Sequence, residues 1–384
     1  MIDIQDKSKC SGCHACYNKC PKKAIKMQED ENGFLYPVGD KEKCINCGLC
    51  DRVCPIINKK NKENDVKVYA CYNREEEVRA KSSSGGIFTL IATEILNRKG
   101  AVFGVAFNED FSLSHIKIES EDELDKLRTS KYFQSSINDT YKEAKLELDN
   151  DRYVLFTGTP CQIEGLLAYL GKDYEKLYTQ DIVCHGVPSP KVWKKYMEYR
   201  ANIDKETPEK INFRDKKQEG WHLFSLSFKY KNSEYAQNQK QDLFMKAFLR
   251  DVCLRESCYK CSFRKEKRLS DITLADCWGI KKIKPELDDN KGTSLILINS
   301  EKGKEIFEII KDSMEYFETT MEKAIESNPA IIKSPNENKN RKRFFDNLEI
   351  MTFDVLVKKY VPDPSFIKKI GRKFKNIIKK VIKK

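Results

Sequence analysis

Eight cysteines near the start of the chain are spaced for metal–thiolate chemistry. They read Cys10-Ser-Gly-Cys13-His-Ala-Cys16-Tyr-Asn-Lys-Cys20-Pro21 and then Cys44-Ile-Asn-Cys47-Gly-Leu-Cys50-Asp-Arg-Val-Cys54-Pro55. Each half is C-x2-C-x2-C-x3-C-P, the run that gives three thiolates to one 4Fe–4S cube and the fourth to its neighbour. Crossed in that way, one cube takes Cys10, Cys13, Cys16 and Cys54, and the other takes Cys44, Cys47, Cys50 and Cys20. Structural zinc would need four ligands per ion and no repeated trailing Cys-Pro. Two cubes held close together form an electron wire, so the rest of the chain must hold what the wire serves.

Further cysteines sit where an α/β sheet would bring them together. Arg152–Phe156 reads as a buried strand, Thr157–Pro160 as a turn, Cys161–Leu170 as a helix and Leu177–Val183 as a second strand ending at Cys184-His185-Gly186. A strand–helix–strand of this length predicts a right-handed parallel crossover. Cys161 and Cys184 then emerge at the carboxyl edge of the sheet, where open α/β sheets bind ligands. Cys161 also opens its helix, where the dipole favours a thiolate. The pair reads as half of a metal site, with the other half in Cys253-x4-Cys258-x2-Cys261. Within that run the C-x2-C pair ranks above Cys253. Cys71, alone in a strand, reads as core. Earlier in the chain, Ser82-Ser83-Ser84-Gly85-Gly86 opens an apolar helix over about 86–98 and offers N–H groups and a positive dipole end to an anion such as a pyrophosphate. The four histidines, at positions 14, 115, 185 and 222, form no Ser/His/Asp constellation.

These residues need a sizeable scaffold, and 384 residues supply two or three domains. Fifteen cysteines with eight in cluster spacing point to a reducing compartment. The first residues carry no apolar core and predict no signal peptide. No apolar run approaches the roughly 18 residues of a membrane span, so the expected location is the cytoplasm. Nine of the net +12 charges lie in residues 366–384, which hold no acid. Little basic excess is left over the remainder, which argues against a nucleic-acid partner. On a helix the tail would put Phe366, Ile370, Phe374, Ile377, Ile378 and Val381 on one face and most lysines on the other. That pattern suits either a helix docked on its own domain or a frayed solvated end, or else peripheral binding to the anionic surface of the inner membrane. The expected fold is an α+β ferredoxin-like module over 1–57, a charged linker over 58–66, and an α/β domain with a mostly parallel or mixed sheet over 67–345. A C-terminal extension over 346–384 follows. Strands are predicted at Val66–Tyr72, Ala101–Phe107, His222–Tyr230, Asp271–Trp278 and Ser294–Asn299, with a helix at 301–312.

Several of these stretches together resemble the beta-subunit family of coenzyme F-420 hydrogenases and dehydrogenases. They are Ser82–Gly86, Leu127–Ser135, Gly158-Thr-Pro-Cys-Gln162, Asp181-Ile-Val-Cys-His-Gly-Val-Pro-Ser-Pro190, and Cys258-x2-Cys261 followed by Asp271-Ile-Thr-Leu274. They run in the family's order from about residue 66 to 315. The resemblance implies FAD and a third 4Fe–4S cluster, the cluster on Cys161, Cys184, Cys258 and Cys261. It sets the flavin against Ser83, Ser84, Gly85 and Gly86 and against Lys131, Tyr132, Phe133 and Gln134. Ala275 and Cys277 stand where the family usually has Gly and Phe, which leaves open whether Cys277 is a ligand. The implied function is an iron-sulfur flavoprotein oxidoreductase. Its hydride donor or acceptor is a deazaflavin coenzyme or another organic molecule, and its one-electron partner a ferredoxin-type protein. His185, beside a cluster ligand, is the candidate proton donor, and Lys131 would place positive charge near the flavin ring. The rival readings are a non-catalytic electron-transfer subunit, a redox sensor, and a reductase of cell-surface polysaccharide biosynthesis.

Overall fold

The computed structural model describes residues 2–363. The basic tail read above as amphipathic lies outside them.

The first 57 residues are framed by a hairpin and two short helices. β1 (Ile25–Glu29) and β2 (Leu35–Gly39) pair antiparallel. The helices Ala15–Lys19 and Leu49–Arg52 each begin just after the second cysteine of a run. The apolar interior consists of Ile2 and Ile25 packed with Cys16 and Cys50. So little hydrocarbon leaves cluster binding to supply much of the module's stability. Residues 58–66 have no regular structure and lie along the larger body, where the Asn64 amide donates to the Asn299 carbonyl at 2.6 Å.

The larger body is built on an eight-stranded mixed sheet. Its strands are β3 (Lys67–Asn73), β4 (Ala101–Phe107), β5 (Leu113–Ile118), β6 (Val154–Gly158), β7 (Leu177–Ile182), β11 (Ile272–Asp276), β12 (Ser294–Ile298) and β13 (Met314–Thr319), in the order β13-β3-β12-β11-β7-β6-β4-β5. The β4–β6–β7–β11 run is parallel, and the flanking pairs are antiparallel. Central strands covered on both faces read as unbroken apolar runs, and all five residues of β12 are buried. Alternate residues of β4 and β6 go to opposite faces. One face packs against the helices Ile87–Asn97 and Glu301–Ile310, the other against Thr140–Asp149 and Pro160–Leu170. The last helix is sharply started and stopped. Thr159 and Gln162 form a capping box, Pro160 takes the first turn, and Gly171 closes it in the left-handed region.

Beside the large sheet, β8 (Lys210–Asp215), β9 (Ser225–Lys229) and β10 (Glu234–Asn238) form a second, three-stranded antiparallel sheet. Its aromatic core takes in the helices Pro190–Asp204, Leu243–Leu249 and Phe353–Tyr360. Leu348, Phe353, Leu356, Val357 and Val361 are buried there. The packed body therefore continues to Val361, and the break expected at residue 346 falls inside a core. Among the described residues, no helix is long and apolar enough to cross a membrane.

Candidate functional site

The eight N-terminal cysteines gather around two small cavities. Cys10, Cys13, Cys16 and Cys54 line one, and Cys20, Cys44, Cys47 and Cys50 line the other. Main-chain N–H groups already point at sulfur: Ala24 N–H donates to Cys20 Sγ and Ile2 N–H to Cys50 Sγ, both at 3.2 Å. Such bonds favour the thiolate that an iron requires. Cys13 and Cys16 are buried, whereas Cys47 is exposed.

A third cavity, of about 410 Å³, is lined by Cys161, Cys184, Cys258 and Cys261. Cys161 comes from the first turn of the Pro160–Leu170 helix, Cys184 from just beyond β7, and the other two from the 3-10 turn Glu256–Lys260 and its end. The donor set is right for a cube. Gly186 N–H donates to Cys184 Sγ at 3.3 Å and Val187 N–H to Cys258 Sγ at 3.5 Å. Arg264 and Arg268 stand on the same wall, each with its Nε unpartnered among the described residues, and their charge opposes the rise in the Cys184 pKa. Burial pushes the free thiols up, Cys258 to about 12 and Cys161 well above its ordinary value. Burial thus works against the Cys161 thiolate expected at the helix start, and a metal bound there would reverse that. Among the described residues, no three His, Cys, Asp or Glu side chains converge closely enough to hold one ion. A cube takes one thiolate per iron and asks for a wider ring. Cys253 and Cys277 do not line this cavity. Both are fully buried in apolar clusters, Cys253 beside Val252 and Leu254, and Cys277 with Ile280 and Leu295.

The largest cavity, about 1050 Å³, lies at the carboxyl edge of the parallel strands. Its walls include Ser82, Ser83, Ser84 and Gly86, then Arg128–Phe133, and Gln180, Cys184, His185, Arg214, Asp276 and Trp278. Two sequence expectations need correction here. Gly85 turns away: its N–H donates to Ser294 Oγ at 2.9 Å, and a Cβ there would lie 2.6 Å from the Cys71 carbonyl. It is a packing glycine with no free donor. Gln134 faces the four-cysteine cavity instead, donating to the Ser11 carbonyl at 3.1 Å. Lys131 does line the large cavity. Its ammonium donates to the carbonyls of Leu127, Arg128 and Thr129 at 3.1–3.2 Å, and burial draws its pKa down to about 7. Tyr132 accepts from Arg214 at 3.0 Å. His185, also on the wall, is held by Asp251 at 2.7 Å.

Arg214 is the cavity residue that the sequence did not reveal. Its guanidinium forms a two-bond pair with Asp276 at 2.9 Å and donates to the Ser83 carbonyl, and it lies 4.0 Å from the Phe224 ring centre. Its Nε and the Gln180 Oε1 are buried without a partner among the described residues. Such orphaned atoms on the wall of a large cavity are what a polar, aromatic ligand would satisfy. The volume, the Ser/Gly turn and these two atoms fit a flavin dinucleotide.

The large cavity adjoins the four-cysteine cavity, which shares Lys9, Ser11 and Ile56 with the cavity of Cys10, Cys13, Cys16 and Cys54. Cys184, Gly186, Val187, Thr159 and Gln162 line both the large cavity and the four-cysteine cavity. Gly165, one turn beyond Cys161, leaves room for Cys13: a Cβ there would sit 3.0 Å from Cys13 Cβ. Arg255 fastens the module to the body. It donates to the Cys10 carbonyl at 2.7 Å, the Leu35 carbonyl at 3.1 Å and Gln134 at 3.0 Å, and stacks 4.0 Å from the Tyr36 ring centre.

The fold and the cysteine sets define an iron-sulfur electron-transfer protein. Residues 9–56 match the 4Fe-4S dicluster domain, and residues 151–324 match the C terminus of the coenzyme F420 hydrogenase/dehydrogenase beta subunit. Residues 151–324 are thus similar to the C-terminal part of that beta subunit and follow a dicluster domain, in line with the sequence motifs. Comparison with curated proteins finds no match. Among solved structures, it is similar to a chain of the xenon-derivatised F420-reducing NiFe hydrogenase complex from Methanosarcina barkeri. Identity is 16%, coverage 74% of this chain and 92% of that one, and the TM-score 0.47.

Proposed function

We propose that the protein is an iron-sulfur flavoprotein oxidoreductase. It would exchange two electrons with a hydride-carrying molecule in the large cavity and pass them singly to or from a ferredoxin-type partner. The observation that carries this reading is the shared wall: Cys184 and its neighbours separate the large cavity from the four-cysteine cavity, and Gly165 brings Cys13 against the helix that Cys161 opens. FAD, when bound, takes electrons in pairs and releases them one at a time. The residues that would hold it are Ser83, Ser84 and Gly86 with Lys131, Tyr132, Arg214 and Gln180. Cys161, Cys184, Cys258 and Cys261 would hold a third cube. The dicluster sets are Cys10, Cys13, Cys16 and Cys54 on the inner side and Cys44, Cys47, Cys50 and Cys20 on the outer, with residues 1–57 as the outlet domain. His185, fixed by Asp251, would hold or release the proton that accompanies the hydride. Exposed Cys47 marks the edge where the partner takes or delivers electrons.

Anaerobic purification with reconstitution tests the reading. The expected content is about twelve iron atoms per chain and one FAD, with Cys161→Ala or Cys258→Ala losing about four iron atoms and Cys71→Ala losing none. About eight iron atoms and no flavin in the unmutated protein would overturn it. A screen of deazaflavin, nicotinamide and simple organic donors then identifies the hydride partner.

A further inference from the structure

The two cysteine runs are internal copies, and they differ at two positions held in the left-handed region, Gly12 against Asn46 and His14 against Gly48. His14 follows the second cysteine of the first run, and Gly48 holds the equivalent place in the second. Both cap their short helices in the left-handed region, with φ of 61° and 68°. Glycine takes that conformation freely, whereas a residue with a Cβ is strained in it. A strained residue held in place by its surroundings is a pointer to function. His14 is 3% exposed and belongs to the loop that lines the cavity of Cys10, Cys13, Cys16 and Cys54, with Arg255 and His115 also near its ring. Neither ring nitrogen has a hydrogen-bond partner among the described residues. Every imidazole tautomer carries at least one N–H, and a buried donor left unmet is costly. Within that cavity, the acceptors at hand are the sulfurs of the cluster it would hold.

We infer that His14 donates its ring N–H to a sulfur of the inner cube and so raises that cube's reduction potential. Hydrogen bonds to cluster sulfur favour the more electron-rich, reduced state. The outer cube, with Gly48 in the same place, has no such donor from that position. His14 would thus tune the step at which electrons cross between the body and the module, where Cys13 meets Gly165. It is a tuning residue and not a cluster ligand. The inference rests on the proposed ligand set Cys10, Cys13, Cys16 and Cys54.

The test is an EPR-monitored redox titration of the full, reconstituted chain as wild type, His14→Gly and His14→Asn. Glycine reproduces the sister run without strain. Asparagine tolerates the left-handed region and keeps an N–H donor. In His14→Gly, one cluster midpoint is expected to move to more negative potential while the others and the iron content stay unchanged, and His14→Asn should lie between that variant and wild type. Unmoved midpoints in a His14→Gly protein with full iron overturn the inference. Should His14→Gly lose the cube, protein labelled with 15N-histidine decides. The reduced cube should show a nitrogen coupling that His14→Asn abolishes, and absence of that coupling in wild type also overturns the inference. Cys16→Ala separates the two levels of the argument: full iron retained there would fault the ligand set, whatever the potentials do.

Discussion

Lys131 is half-buried on the wall of the large cavity, its ammonium shared among three main-chain carbonyls. Its pKa of about 7 in the folded chain compares with about 10.4 when unfolded. Between those values the unfolded chain binds more protons, so the cofactor-free protein is expected to gain stability as pH rises from about 7 toward about 10. An anion bound beside Lys131 would draw the proton back. Flavin affinity, followed by fluorescence titration, should then weaken above about pH 7 by up to roughly tenfold per pH unit. Lys131→Met should flatten that slope, and an unchanged slope would remove Lys131 from the flavin site. Single residues were unevenly legible in the sequence. Cysteines declare themselves by spacing, and the stretch around Lys131 did so by resemblance. Gln134, three residues on in the same irregular loop, faces a different cavity, because a loop has no period from which side-chain direction can be read. Arg214 and Arg255 gave no signal: in a chain that is 34% charged, a buried arginine looks like a solvated one until its partners are known.

The Ser/Gly turn and the Ile87–Asn97 helix act as one element. Gly86 caps the helix at φ 83° and lines the large cavity, while Gly85 is spent on close packing against β3 and β12. Gly86→Asp would put a carboxylate near the expected pyrophosphate, but it also strains the backbone. The isosteric Gly86→Asn variant carries similar strain without the charge. Both proteins should fold with similar melting temperatures, and only the Asp variant should lose FAD on gel filtration. Equal retention by both would move the phosphates elsewhere. At this scale the sequence was a good guide wherever period-two or unbroken apolar runs marked a strand, as in β4, β6, β7 and β12. It missed β10, whose Glu-Tyr-Ala-Gln-Asn run has only its last residue buried on the edge of the small sheet. It also missed that Phe353–Tyr360 belongs to the core, because much of its apolar face packs against Pro190–Asp204 and Leu243–Leu249, a hundred or more residues away.

Taken whole, the molecule is two bodies, and one buried guanidinium links them beside further bonds from Asn18 and Lys19 of the module and from Gln134 and Ser189 of the body. Arg255 reaches the Cys10 and Leu35 carbonyls of the module from the turn that carries Cys258. Arg255→Met keeps the volume and removes these charge-assisted bonds, at a cost on the order of 3 kcal/mol. The expected result is easier proteolysis in residues 58–66 and slower reduction of the dicluster module, with iron content unchanged. Unaltered protease resistance would show that the remaining contacts suffice to hold the module. The docking also divides the two dicluster cysteine sets by accessibility. Cys47 stands at the surface, whereas Cys13 is covered by the helix at Gly165. With the proposed cubes in place, oxygen would meet the outer one first, and iron lost there could be replaced from solution while the module stays seated. The inner set is less open, with Cys13 and Cys16 buried and Cys10 and Cys54 half-buried, so a cube held there would lose iron more slowly.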